Sequence, residues 1–192
     1  MADIPSHHMI YGTMADYLTG EQIVDTDDER YRQKLSRFLV KEKGYAKTDL
    51  EMRLKIETLF AGNFVVSKID LVISLHGKRV ILLRYGPGSL VTRERPALAA
   101  ARILEPDYQI PLVVVTNGED AEILDTYRGK EISHGLESIP GKEELQQMFS
   151  SLAFIPLVDQ NRREKEARIL NAFDLEVCCA GNPCALPEAP EG

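Results

Sequence analysis

Lys68-Ile69-Asp70-Leu71-Val72, inside an extended run over residues 64–75, and Arg79-Val80-Ile81-Leu82-Leu83-Arg84-Tyr85-Gly86-Pro87, after the turn His76-Gly77-Lys78, decide how this chain folds. Both runs are rich in aliphatic and β-branched residues and the turn between them is short, which is hairpin chemistry. Val80-Ile81-Leu82-Leu83 is apolar at odd and even positions alike, so both faces of that strand are covered and it lies centrally in a sheet. A third run over residues 53–59 precedes them, joined through Ala61-Gly62-Asn63. Three consecutive antiparallel strands are expected.

Upstream, the pattern predicts a helix over residues 27–43. Thr26 is placed to cap it, with Glu29 three residues on able to reach back as a capping box. Tyr31, Leu35, Phe38 and Leu39 follow the helical period, and Gly44 supplies a left-handed stop. Downstream, Gly86-Pro87-Gly88-Ser89 leads to an Ala-rich helix near residues 96–105, with Pro96 in its first turn and Pro106 beyond its end. Pro111-Leu112-Val113-Val114-Val115 is a buried strand that runs into Thr116-Asn117-Gly118, and residues 121–126 read as a short edge strand. Strand, helix and strand in that order imply a parallel crossover. Helices over 142–152 and 159–173 follow. Arg162, Arg163, Glu164, Lys165, Glu166 and Arg168 on the second mix both signs, as a solvated face does. The expected fold is α/β, a mixed sheet of about five strands flanked by helices. Residues 1–24 read as an N-terminal extension, 25–175 as one domain with its core at 25–126 plus C-terminal helices, and 176–192 as a disordered tail.

Composition agrees with one globular domain: 192 residues, 44% hydrophobic and 28% charged, within the range of ordinary folded domains. No apolar run approaches the ~18 residues a membrane-spanning helix needs, and the start lacks a basic-then-apolar signal. The chain reads as cytoplasmic, with no membrane partner. Cys178, Cys179 and Cys184 all lie near the C-terminus, an odd set that staples nothing and fits a reducing compartment. Three thiols without a nearby histidine complete only part of a zinc site, so a frayed tail is the reading there. The net charge of −7 hides an asymmetry. From Arg30 to Arg102 there are 16 Lys/Arg against 6 Asp/Glu, while the rest carries 7 against 24. Two outcomes stay open: folding gathers the basic middle on one face, where it meets phosphates, or disperses it.

The element order resembles the PD-(D/E)xK nuclease core, a restriction-endonuclease-like fold. Asp28-Glu29-Arg30-Tyr31-Arg32-Gln33-Lys34-Leu35 with Glu42-Lys43-Gly44-Tyr45, then Lys68-Ile69-Asp70-Leu71-Val72, then Val115-Thr116-Asn117-Gly118, resemble the N-terminal nuclease domain of type I restriction enzyme R subunits, over roughly residues 25–126. The resemblance implies a magnesium site in which one Asp and an acid-x-Lys on the next strand hold the metal and position water. Asp70 matches the first acid. With Gly86-Pro87 aligned on the family's Ala-Pro pair, Leu83 stands at the second acid and Tyr85 at the lysine. Neither can serve: Leu83 offers no ligand and a phenol carries no positive charge at neutral pH. Arg84, between them, alternates to the other strand face.

Three functions follow. The leading one is a DNA-binding or regulatory module without nuclease chemistry and without cofactor, meeting DNA through Arg30, Arg32, Lys34, Arg37 and Lys41 on the first helix and Lys68, Arg84, Arg93 and Arg95 beyond it. The alternative is an active magnesium-dependent endonuclease rebuilt from Asp70, Glu29, Glu94 and Lys68 or Arg84. The third is a scaffold for a homodimer or another protein partner. In the module reading, Asp70 is held ionised by Arg32 or Arg84. Gly86-Pro87-Gly88-Ser89 reads as a tight turn rather than a phosphate cradle, because a Gly-Lys-Ser/Thr ending is absent. His7, His8, His76 and His134 show no metal spacing.

Overall fold

The computed structural model describes residues 10–60 and 63–177. The tail cysteines, His7, His8 and the Ala61-Gly62 part of the first turn lie outside the described residues. Strands β1 (Ile10–Ala15) and β2 (Gln22–Thr26) pair as an antiparallel hairpin that begins in the segment read as an extension and runs two residues past it. Helix α1 (Asp27–Lys41) follows at once. Thr26 caps it as expected, its hydroxyl accepting from the Glu29 amide at 3.2 Å. The Glu29 carboxylate does not reach back to complete the box, because it turns to half-buried cations described below.

The main sheet has the order β3-β4-β5-β6-β7-β8. Strands β3 (Leu50–Phe60), β4 (Asn63–Leu75) and β5 (Lys78–Tyr85) are antiparallel neighbours. The β4–β5 turn places His76 and Gly77 at φ of 51° and 73°, the paired positive values that a two-residue type I′ turn demands. Helix α2 (Val91–Ile103) carries the chain to β6 (Leu112–Thr116), which lies parallel to β5. The mixed α/β sheet is thus as expected, with one strand more than the pattern showed.

That strand changes the reading of residues 121–126. β7 (Ala121–Asp125) is not an edge: β8 (Lys130–His134) pairs with it through a turn in which Gly129 has φ of 63°. β8 is mostly polar and exposed, so it lacks the apolar alternation by which strands are recognised. Helix α2 also starts five residues before Pro96, which lies inside it. The missing amide forfeits one bond to the Thr92 carbonyl, near an end where backbone groups are already unpaired, and Pro96 is buried there beside Ala97. Helices α3 (Lys142–Met148) and α4 (Gln160–Val177) complete the fold. None of the described helices is long and apolar enough to cross a membrane.

Two apolar layers flank the sheet. Leu35 and Leu39 of α1 pack on Leu71, Ile73, Ile81, Leu83 and Val114. On the other face Ala97, Ala100 and Ala101 of α2 and Leu170 of α4 pack on Ile69, Val72, Leu82, Val113 and Val115. The α4 face read as solvated is partly buried. Glu166 is 3% exposed and ion-paired at 2.8 Å with Arg102, whose other guanidinium nitrogens donate to the Thr126 carbonyl. Arg163 donates to the Ile103 carbonyl at 2.7 Å, satisfying the end of α2.

The hairpin is locked to α1 by Asp16, which is 2% exposed. Its Oδ1 accepts from the amides of Leu18 and Thr19, and its Oδ2 from Gln33 at 3.1 Å and Arg53 at 2.6 Å. Burial alone would raise its pKa; the Thr19 amide, Arg53, Gln33 and the Leu18 amide outweigh it and hold the carboxyl at about 2, below the ordinary 3.8. A depressed carboxyl contributes stability that is complete above the unfolded value and lost as pH falls through the folded one. Stability should therefore drop between about pH 4 and 2, and Asp16→Asn should flatten that part of the curve. At neutral pH Asp16→Ala should cost about 2 kcal/mol, because Arg53 loses one of its two acids but stays partly hydrated. Thermal unfolding followed by circular dichroism should register a fall of about 6 °C.

Candidate functional site

The carboxyl end of β5 faces the amino-terminal half of α1, and here the chain places its polar groups. Asp70, on β4, is 8% exposed. Its Oδ2 accepts from the Tyr85 amide at 2.8 Å and its Oδ1 from Arg32 Nε at 2.5 Å. Arg32 lies on α1 and also approaches Glu29 Oε2 at 3.6 Å, so one guanidinium stands between two carboxylates. Burial opposes its charge, yet Asp70 and Glu29 hold its pKa above the usual arginine value.

Glu29 is shared further. Its Oε1 accepts from Gln33 at 3.0 Å and from Arg53 at 2.6 Å. Arg53 sits in β3 with φ of 57°, at the one step where the ladder with β4 skips from Met52↔Leu71 to Leu54↔Ile69. Such a conformation is strained for a residue with a side chain. This local distortion, which leaves the register of the two strands unchanged, brings its guanidinium to Asp16 and Glu29 together. Asp16, Gln33 and Arg53 were not singled out in the sequence. Contact between residues so far apart in the chain leaves no local signal.

Leu83 and Tyr85 stand as the strand alternation requires. Leu83 is fully buried in the α1-side layer, and Tyr85 stacks on Tyr31 with centroids 5.4 Å apart and Arg32 over its ring. Burial, then Asp28 and Tyr31, push the Tyr85 phenol up to about 12, so it is neutral at physiological pH. A hard divalent cation needs several converging oxygens with room for water. Asp70 receives a guanidinium and a backbone amide, Glu29 is taken by Arg32, Gln33 and Arg53, and Leu83 and neutral Tyr85 add no anionic ligand, a set that does not fit magnesium.

The remaining candidates are dispersed. Glu94, on α2, lies near buried Glu122 of β7, which is in register with Val115 on the opposite face of the sheet. Burial first, then the proximity of Glu94, raises the pKa of Glu122. Arg84 is aligned across the sheet with Val115. Glu29 and Asp70 therefore lie on the α1 side of the sheet, while Glu94 belongs to the α2 layer. Lys68 is exposed, with Lys55 as its cross-strand neighbour. Arg93 folds back on the glycine loop: it donates to the Pro87 carbonyl at 2.9 Å and lies so close to Gly86 that a Cβ there would collide with its guanidinium. Asn117 holds the Gly88 carbonyl from the other side at 3.3 Å, so the loop is the tight turn expected of it. Arg95 is exposed, 3.8 Å from Glu166.

On α1 the basic residues divide. Arg30 forms a two-bond pair with Asp25 and stacks over Tyr11, and Arg32 is committed to Asp70. Lys34, Arg37 and Lys41 are exposed. Their spacing of three and four residues aligns them over about 10 Å of helix. They border a groove of about 200 Å³ whose wall includes Tyr31, Leu35, Phe38, Tyr85 and Leu136.

Among known proteins, the family model described as Type I restriction enzyme R protein N terminus matches residues 27–140, more than half of the chain. Searches of curated proteins and of solved structures return no match. The match opens at the first residue of α1 and runs through the β-sheet to the 3₁₀ turn after β8, and so contains Glu29, Arg32, Asp70, Tyr85 and the exposed cations. By that match the chain belongs to the family of type I restriction enzyme R protein N-terminal domains.

Proposed function

We propose that this domain binds DNA through the exposed face of α1 and does not cleave it. The observation that carries the reading is the Arg32 guanidinium, 2.5 Å from Asp70. It supplies at that carboxylate the positive charge that a metal would otherwise bring, and it is covalently part of the chain. Divalent metals accelerate phosphodiester cleavage by activating water and stabilising charge on the phosphorane. A guanidinium engaged by Asp70 has no water to activate, and Leu83 and Tyr85 provide neither second ligand nor cation.

The DNA-binding half rests on Lys34, Arg37 and Lys41, with Lys68 as a further exposed cation. Arg30, Arg32 and Arg93 are better described as intramolecular partners, which narrows the binding set drawn from sequence. Four phosphate contacts correspond to a slope of log K against log salt of about −3 to −4 on duplex DNA. The triple variant Lys34→Ala/Arg37→Ala/Lys41→Ala should weaken binding more than tenfold at low salt and reduce that slope to about −1. Gel retardation that is absent for every DNA form at low salt overturns the reading and favours a protein-interaction scaffold.

Cleavage is tested separately. Supercoiled, linear duplex and single-stranded DNA incubated with magnesium or manganese should all remain intact. Products that appear with either metal and vanish in Asp70→Ala would establish the rebuilt nuclease instead.

A further inference from the structure

The groove beside α1 has a chemistry that phosphate attraction alone does not require. At one end Tyr31 stacks on Tyr85, leaving Tyr31 37% exposed and lining the groove. Gly118 makes this placement possible: its φ of 91° suits glycine, and a Cβ there would come within 2.6 Å of the Tyr31 ring. Leu35, Phe38 and Leu136 continue the apolar wall. Lys34, Arg37 and Lys41 stand on the rim, with Glu42 as the one acid lining the groove. An aromatic platform next to a line of cations is the pairing by which proteins hold single-stranded nucleic acid, with bases stacking and phosphates meeting charge. At about 200 Å³ the groove is smaller than the ~300 Å³ where sites for drug-sized ligands begin. It suits one planar ring rather than a whole cofactor.

We infer that the groove is a subsite for an unstacked base of single-stranded DNA, with Tyr31 as the stacking surface and Lys34, Arg37 and Lys41 as the phosphate contacts. The inference rests on the DNA-binding reading and adds strand selectivity to it. In a duplex each base is already stacked and paired, so its π-face is unavailable to Tyr31. A single strand gains both terms.

The test uses fluorescence anisotropy with an oligonucleotide of about 12 thymidines, a duplex of equal length, and the same single strand carrying abasic positions at its centre. The single strand should bind about tenfold more tightly than the duplex, and the abasic strand should lose that advantage, a comparison that leaves the protein unchanged. Tyr31→Ala should lower single-strand affinity about tenfold, leave duplex affinity and the salt slope in place, and no longer distinguish abasic from intact strands. Tyr31→Phe should behave as the parent. Equal binding of intact and abasic strands by the parent protein overturns the base subsite while leaving the cationic face standing. Absence of binding to all three probes overturns the DNA-binding reading itself, and the subsite with it.

Discussion

The pairing of Arg32 with Asp70 joins the first helix to the centre of the sheet, and the arrangement around it depends on that bond. Asp70 is almost wholly buried, and a buried carboxylate needs compensation close by. Two donors supply it: the Tyr85 amide, which ties β4 to the end of β5, and the Arg32 guanidinium, which ties both to α1. Glu29 and Arg53 then follow as a relay. Arg32 approaches Glu29, Glu29 holds Arg53, and Arg53 holds Asp16 in the hairpin link. Charges alternate in sign along the whole chain of contacts, so every acid meets a cation and each of the two arginines bridges two acids.

This relay also determines which basic residues remain outside. A helix with cations all around cannot present them all to a ligand. Arg32 faces the sheet and Arg30 faces the hairpin, where Asp25 and Tyr11 receive it. Lys34, Arg37 and Lys41 are left on the outer stripe. The tyrosine pair sits at the junction of the two regions, with Tyr85 packed under Arg32 and Tyr31 opening on the groove. The helical period turns Arg32 to the sheet, whereas Arg30 lies in line with Lys34 on the exposed stripe and is engaged there by Asp25 and Tyr11.

The opposite layer of the sheet follows another logic. Arg102 and Glu166 form a buried pair between α2 and α4, and Glu122 is buried against Glu94. These groups join elements distant in the chain, and they draw Glu94 away from the face where Asp70 lies. Membership of the restriction-enzyme family therefore describes a shared scaffold, while the chemistry depends on which side chains meet at the end of β5.

The local pattern of the chain determined a good deal. The capped helix at Asp27, the three antiparallel strands, the parallel crossover and the His76-Gly77 turn all follow from periodicity and turn chemistry, which act within a few residues. Placing Leu83 and Tyr85 in register with Asp70 drew on the family resemblance, with Gly86-Pro87 as its anchor, and both side chains stand as strand alternation requires. Tertiary structure decided the rest, because the deciding contacts cross many residues. Polar β8 becomes a strand only by pairing with β7, Glu166 becomes buried only when α4 docks on α2, and the positive φ of Arg53 has no local signature. Whether the basic middle would gather or disperse was settled in the same way: part of it was consumed inside by acids, and the stripe on α1 stayed outside. Amino-acid order specifies which charges exist and how they repeat; only packing selects the partners that neutralise them.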